Sequence, residues 1–191
     1  MFDIEPYYNW RDYYISEEDE RSPFYLKEYN EFDFEHTIYN YYIHPQWDDI
    51  GSPTLYIKIL FADYDKGFAI IELMGEWNDI ITNDVMLLKR DIVDSMLSYE
   101  INKFILIGEN VLNFHYDMED YYEEWFDDVG DGWVAAISLQ HYVLDEIIKY
   151  HLDQYMVVGG ELNNLEWRTF KPQILYKTVE QLVQRRIALQ G

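Results

Sequence analysis

Three short apolar runs constrain this chain more than any other feature. Phe104-Ile105-Leu106-Ile107, Val134-Ala135-Ala136-Ile137 and Tyr155-Met156-Val157-Val158 carry no charge. The segments between them place apolar residues at helical spacing. A strand with one wet face alternates apolar and polar residues, whereas an uninterrupted apolar run needs cover on both faces. Strands of that kind alternating with helices predict crossover connections and a largely parallel sheet.

The regular pattern starts near Thr54. Leu55–Phe61 is rich in β-branched and aromatic residues and reads as a strand. Asp63-Tyr64-Asp65-Lys66-Gly67 is a turn, and Phe68–Leu73 follows as a second strand. So short a connection predicts an antiparallel hairpin. Val85, Leu88, Ile92 and Met96 then share a helical face, with Thr82 or Asn83 as the expected N-cap. After the run at 104–107, Tyr121, Tyr122, Trp125, Phe126 and Val129 predict a helix capped by Asp117 and stopped by Gly130-Asp131-Gly132. Leu144, Ile147, Ile148 and Leu152 predict another helix, one that would carry both His141 and His151. Gly159-Gly160 ends the last strand, and a long helix with Pro172 in its first turn closes the chain. The expected fold is α/β: a mixed, mostly parallel sheet that opens with an antiparallel hairpin and has helices on both faces.

Residues 1–53 are of a different kind and are expected to form a Tyr-rich acidic arm preceding an α/β domain at 54–191. Nine of the 19 tyrosines lie before residue 51, with Trp10, Trp47 and the acidic run Glu17-Glu18-Asp19-Glu20 among them. Acidity alone would predict disorder, but disordered segments are poor in aromatics. Tyrosine buries a large ring and keeps a polar tip. The arm is therefore expected to be ordered, laid over the domain or over a partner subunit.

The order of elements over residues 54–190 resembles the SpoIIAA-like or STAS domain, in which a strand pair leads into alternating helices and parallel strands and a long helix closes the chain. That resemblance implies a regulatory module that works by binding protein. In the family's anti-sigma-factor antagonists a phosphorylatable Ser sits where a central strand meets the next helix. The matching stretch here, Glu109 to Asp117, has no Ser or Thr, so the phosphoswitch is not carried over.

Charge removes several partners. Lys+Arg total 14 against 37 Asp+Glu, a net charge of −23, and a field of that sign repels phosphate backbones and anionic membranes. The basic residues nearest the C-terminus, Lys171, Lys177, Arg185 and Arg186, are too few for a nucleic-acid patch. No apolar run approaches the ~20 residues of a membrane span, and the first residues have no secretory pattern. With no cysteine, disulfides and thiolate chemistry are excluded. A cytoplasmic address is expected.

The motifs for chemistry are incomplete. Asp127 to Gly132 starts like a calcium loop but reaches Ser138 where a bidentate Glu is needed, and the loop from Asp63 reaches Met74. None of the five histidines pairs at i, i+4, and neither a nucleophile elbow around Ser138 nor a phosphate-binding glycine motif is present. No metal or cofactor is expected. In open α/β sheets ligands bind beyond the carboxyl ends of the strands. There the chain is expected to place Glu109, Asn110, Gln140, His141, Gly160 and Glu161, with His115 beside Asp117 as a possible acid–base pair. The leading expectation is a non-catalytic interaction or regulatory domain binding a protein partner or its own copy as a homodimer. The alternatives are a small-ligand binder or enzyme using that strand-end cleft, and an acidic decoy for a basic partner.

Overall fold

A computed structural model describes residues 2–190. Its centre is a five-stranded sheet in the order β4-β5-β6-β7-β8. β4 (Asp48–Asp49), β5 (Leu55–Asp63) and β6 (Phe68–Asn78) pair antiparallel, and β7 (Lys103–His115) and β8 (Trp133–Ile137) add in parallel. The fold is thus mixed α/β and opens with the expected hairpin. β1 (Phe2–Ile4), β2 (Thr37–Ile38) and β3 (Tyr41–Ile43) form a second sheet, order β1-β3-β2.

Strand alternation sends neighbouring side chains to opposite faces. Ala69, Ile71 and Leu73 of β6 pack in a cluster with Val85, Leu88, Trp125 and Val143. These come from the helices on that face: α1 (Asp84–Leu87), a π-helical turn (Leu88–Val93) and α2 (Asp94–Ser98), then α3 (Asp120–Asp128) and α4 (His141–Lys149). Phe68 and Ile70 pack on the other face against Leu175, Val179 and Val183 of α5 (Pro172–Gln190), and Trp10 and Trp167 join them. Helices therefore cover both faces. At the end of α3, Gly130 takes φ 59°, the left-handed C-terminal position that favours glycine. A Cβ at Gly132 would lie 1.8 Å from the Asn102 carbonyl oxygen, so only glycine lets β8 start flush against β7.

Local details differ from the sequence reading. The run at 155–158 is no strand: only Val157 bridges to Ala135, and the chain then turns away through Gly159 at φ 78°. His151 lies beyond the end of α4 with φ 59°. Neither Thr82 nor Asn83 caps the first helix by its side chain; Asp79 Oδ1 accepts the Val85 N–H at 2.9 Å instead. α3 begins after Glu119, not at Asp117.

The N-terminal segment packs on the same chain. The Trp10 indole N–H donates to the Phe170 carbonyl at 3.0 Å, and the Tyr7, Trp10 and Trp167 rings meet edge to face at 4.9–5.8 Å. Such ring geometry contributes ~1 kcal/mol per pair beyond the area buried. Phe24 and Ile50 join the opposite cluster.

Candidate functional site

The N-terminal segment covers a stripe of charge on the sheet. Lys58 on β5 stands opposite Glu72 on β6, and both are buried. β6 residues Glu72 and Met74 pair with β7 residues Ile107 and Asn110, so β7 carries one extra residue there. An extra residue bends its strand and re-aims the side chains around it. Glu109 and Asn110 sit at this bulge, midway along β7 rather than at its end as expected, because the strand continues to His115.

Glu109 has intramolecular partners for both carboxylate oxygens. Arg168 Nη1 lies 2.8 and 2.7 Å from them, and the Trp167 indole N–H donates at 2.9 Å. The guanidinium also stacks over the Trp167 ring, 4.3 Å from its centroid. Half-burial opposes ionisation of Glu109, but these donors outweigh it and hold its pKa below the usual range. Glu72 is pushed the other way. Burial lifts its pKa to about 7, only partly offset by the Tyr7 backbone N–H at 2.8 Å, by Arg168 and by Asn110. Neighbouring carboxyls with pKa values driven apart form an acid and base pair in principle, but Tyr7 lies over Glu72 and leaves no opening for a substrate.

Lys58 points to the other end of the stripe. Its Nζ is 3.6 Å from Asp48 Oδ2 and 3.8 Å from Glu17 Oε2, and 3.9 Å above the Tyr29 ring. Asp48 Oδ1 accepts from Lys27 Nζ at 2.9 Å and from the Tyr29 hydroxyl. Burial depresses the Lys58 pKa against the pull of the two carboxylates.

The other expected site residues are dispersed. The Gln140 amide donates to the Glu109 carbonyl at 2.8 Å, which ties it to the β7 bulge. His141 is the exposed first residue of α4. His115 ends β7, six residues and so roughly 20 Å along the strand from Glu109; its Nε2 lies 3.5 Å from Glu76. Gly160 and Glu161 open a 3-10 turn beyond β8. Glu109, Asn110 and Gln140 are thus brought together; His115, His141, Gly160 and Glu161 are not. Sequence reasoning missed Glu72 and Lys58, because a single charge inside an apolar strand reads as its solvent face, and it missed Arg168, which lies in a short 3-10 turn with no periodic pattern.

One group of metal-ligating type occurs among the described residues, at Asp3, Glu5 and His44, with one candidate ligand atom from each within 4.8 Å of the others. β1 and β3 pair in parallel and place these side chains together. The ring argues against an ion. His44 Nδ1 accepts the Gln46 N–H at 3.2 Å, which leaves the neutral ring's proton on Nε2, the nitrogen facing Glu5.

A separate groove of about 350 Å³ runs along the outer edge of β8 between α4 and α5. Its walls are Phe126, Leu144, Ile148, Tyr155, Met156 and Ile187. Gly160 is the one expected site residue that lines it.

No family model matches the chain, and no curated protein matches it. Among solved structures it is similar to a protein of Thermotoga maritima described as an anti-sigma factor antagonist, at 19% identity. The match covers 53% of this chain and 82% of that one, with a TM-score of 0.40. An overlay that loose defines no shared site. No helix among the described residues is long and apolar enough to cross a membrane.

Proposed function

We propose that this chain is a non-catalytic interaction domain that binds a protein through the aromatic face of its small N-terminal sheet. The observation that carries this reading is exposed ring surface around β2 and β3. Phe32 is 85% and Tyr39 57% exposed, and Phe34 and Tyr42, in edge contact at 5.9 Å, are also exposed. Rings of this kind anchor interfaces. Glu31, Asp33 and Glu35 stand beside them, all exposed, so the complementary partner is basic. A homodimer through the same face would set two acidic surfaces together, and its formation would need salt. The SpoIIAA-like element order and a cytoplasmic address belong to the same proposal.

The strand-end enzyme reading has less support, since the partners of Glu109 and Gln140 lie within the chain. A photo-crosslinking amino acid placed at Phe32 tests the proposal in cells. It is expected to trap a discrete protein, or a second copy of this chain, while the same group at exposed Gln184 on α5 traps none. Capture of a basic partner should fade as salt rises. Equal labelling at both positions, or none at either, would sink the reading.

A further inference from the structure

We infer that the groove along the β8 edge binds a small amphipathic carboxylate, with its apolar tail between α4 and α5 and its head on Arg186. This site is independent of the aromatic face, and neither reading needs the other. The groove's volume of about 350 Å³ falls within the roughly 300–1,000 Å³ typical of small-molecule sites, which are apolar with a few placed polar groups. Phe126, Ile148 and Ile187 come from three different helices and are each nearly half exposed along it. Side chains that could pack together instead stand around an open channel.

One polar group singles out the ligand's chemistry. Arg186 Nη1 donates to the Val158 carbonyl at 2.9 Å and Nη2 to the Gly159 carbonyl at 3.2 Å. Neutral carbonyls hold the guanidinium in place, and no described carboxylate lies within ion-pair distance of it. Arg186 lines the groove and its neighbour Arg185 does not. A guanidinium has five N–H donors in a planar fork suited to carboxylate, so donors remain. The long-range field opposes an anion, but at physiological ionic strength it is screened beyond about 8 Å; Asp153 also lines the groove, so the carboxylate head is set at Arg186.

Decanoate and decanol, tested by calorimetry and thermal shift on the full chain, separate the head from the tail. Decanoate is expected to bind and to raise Tm, as any ligand selective for the folded state does; decanol is expected to bind at least about tenfold more weakly for want of the charge-assisted contact. Arg186→Met should lose about the same factor. Because Arg186 also holds α5 to the Val158 segment, a second variant is needed. Ile148→Asp, at a half-exposed wall position, should keep the circular dichroism spectrum and lose decanoate binding. Equal affinity for decanol, an unchanged affinity in either variant, or no binding at all would overturn the inference. So would light scattering that shows a dimer abolished by Ile148→Asp, which would make the groove a seat for a second copy.

Discussion

Replacing Glu72 with glutamine is expected to stabilise the protein by on the order of 3 kcal/mol at pH 8 and to leave it unchanged near pH 4. Glu72 is 1% exposed, and burial raises its pKa from 4.5 to about 7. In the unfolded chain it ionises at its ordinary value. Below that value both states hold the proton and the group contributes no difference. As pH rises from about 4.5 through 7 the unfolded state gains by releasing the proton first, so stability is lost across that window and stays lost above it. Glutamine resembles the protonated form, and its carbonyl can still accept the Tyr7 N–H. Asp79, which burial lifts to about 6, titrates in the same direction. It does so in both proteins, so it cancels in the difference. The groups facing Glu72 are Tyr7, Arg168, Glu109 and Asn110, with Lys58 opposite. Urea titrations of both proteins at several pH values measure the effect; parallel curves from pH 4 to 8 would mean that Glu72 is not held protonated by its burial.

Glu72 also shows where the sequence stops being legible. The alternation of strands and helices, the opening hairpin and both covered faces follow from periodicity, because a mostly buried sheet needs apolar runs. The length of β7 does not. Glu109, Asn110 and Asn113 look like the end of a strand, yet β6 continues beside them and the bulge absorbs the mismatch. The run at 155–158 errs the other way. Met156 and Val158 are buried, Tyr155 and Val157 only partly, and only Val157 makes ladder contacts. Glu109, Asn110 and Gln140 were legible as neighbours because polar residues follow apolar runs there. Arg168, nearly sixty residues later, has no periodic signal that ties it to Glu109. Tyr7 and Trp10 gave only a composition, and composition cannot say which surface a ring will cover.

The largest loss is expected from Asp48→Asn, on the order of 3–5 kcal/mol. Asp48 is fully buried and joins Lys27, Tyr29 and Lys58. Asparagine has almost the same shape and still accepts from the Tyr29 hydroxyl, so the substitution removes charge and little else. Lys27 is about a third exposed and can turn to water. Lys58 cannot: its Nζ is buried, has no hydrogen-bond partner among the described residues, and would keep only one carboxylate, Glu17 at 3.8 Å, beside the Tyr29 ring. Breaking a buried pair costs more than the pair contributes, because the remaining charge has no compensation. Two consequences distinguish this from a general loss of packing. Adding Lys58→Met should restore most of the stability, since a thioether chain fills similar space without charge, and the cycle should show coupling of about 2 kcal/mol or more. The deficit of Asp48→Asn should also shrink as pH rises. Burial already depresses the Lys58 pKa, and without Asp48 to oppose it the neutral amine forms at lower pH in the folded state than in the unfolded chain. For a cation depressed in this way, stability is lost as pH falls through the folded pKa and regained as it rises. A deficit that is flat with pH, or a double variant no better than Asp48→Asn, would show that the ion pair does not account for the order of the segment covering it.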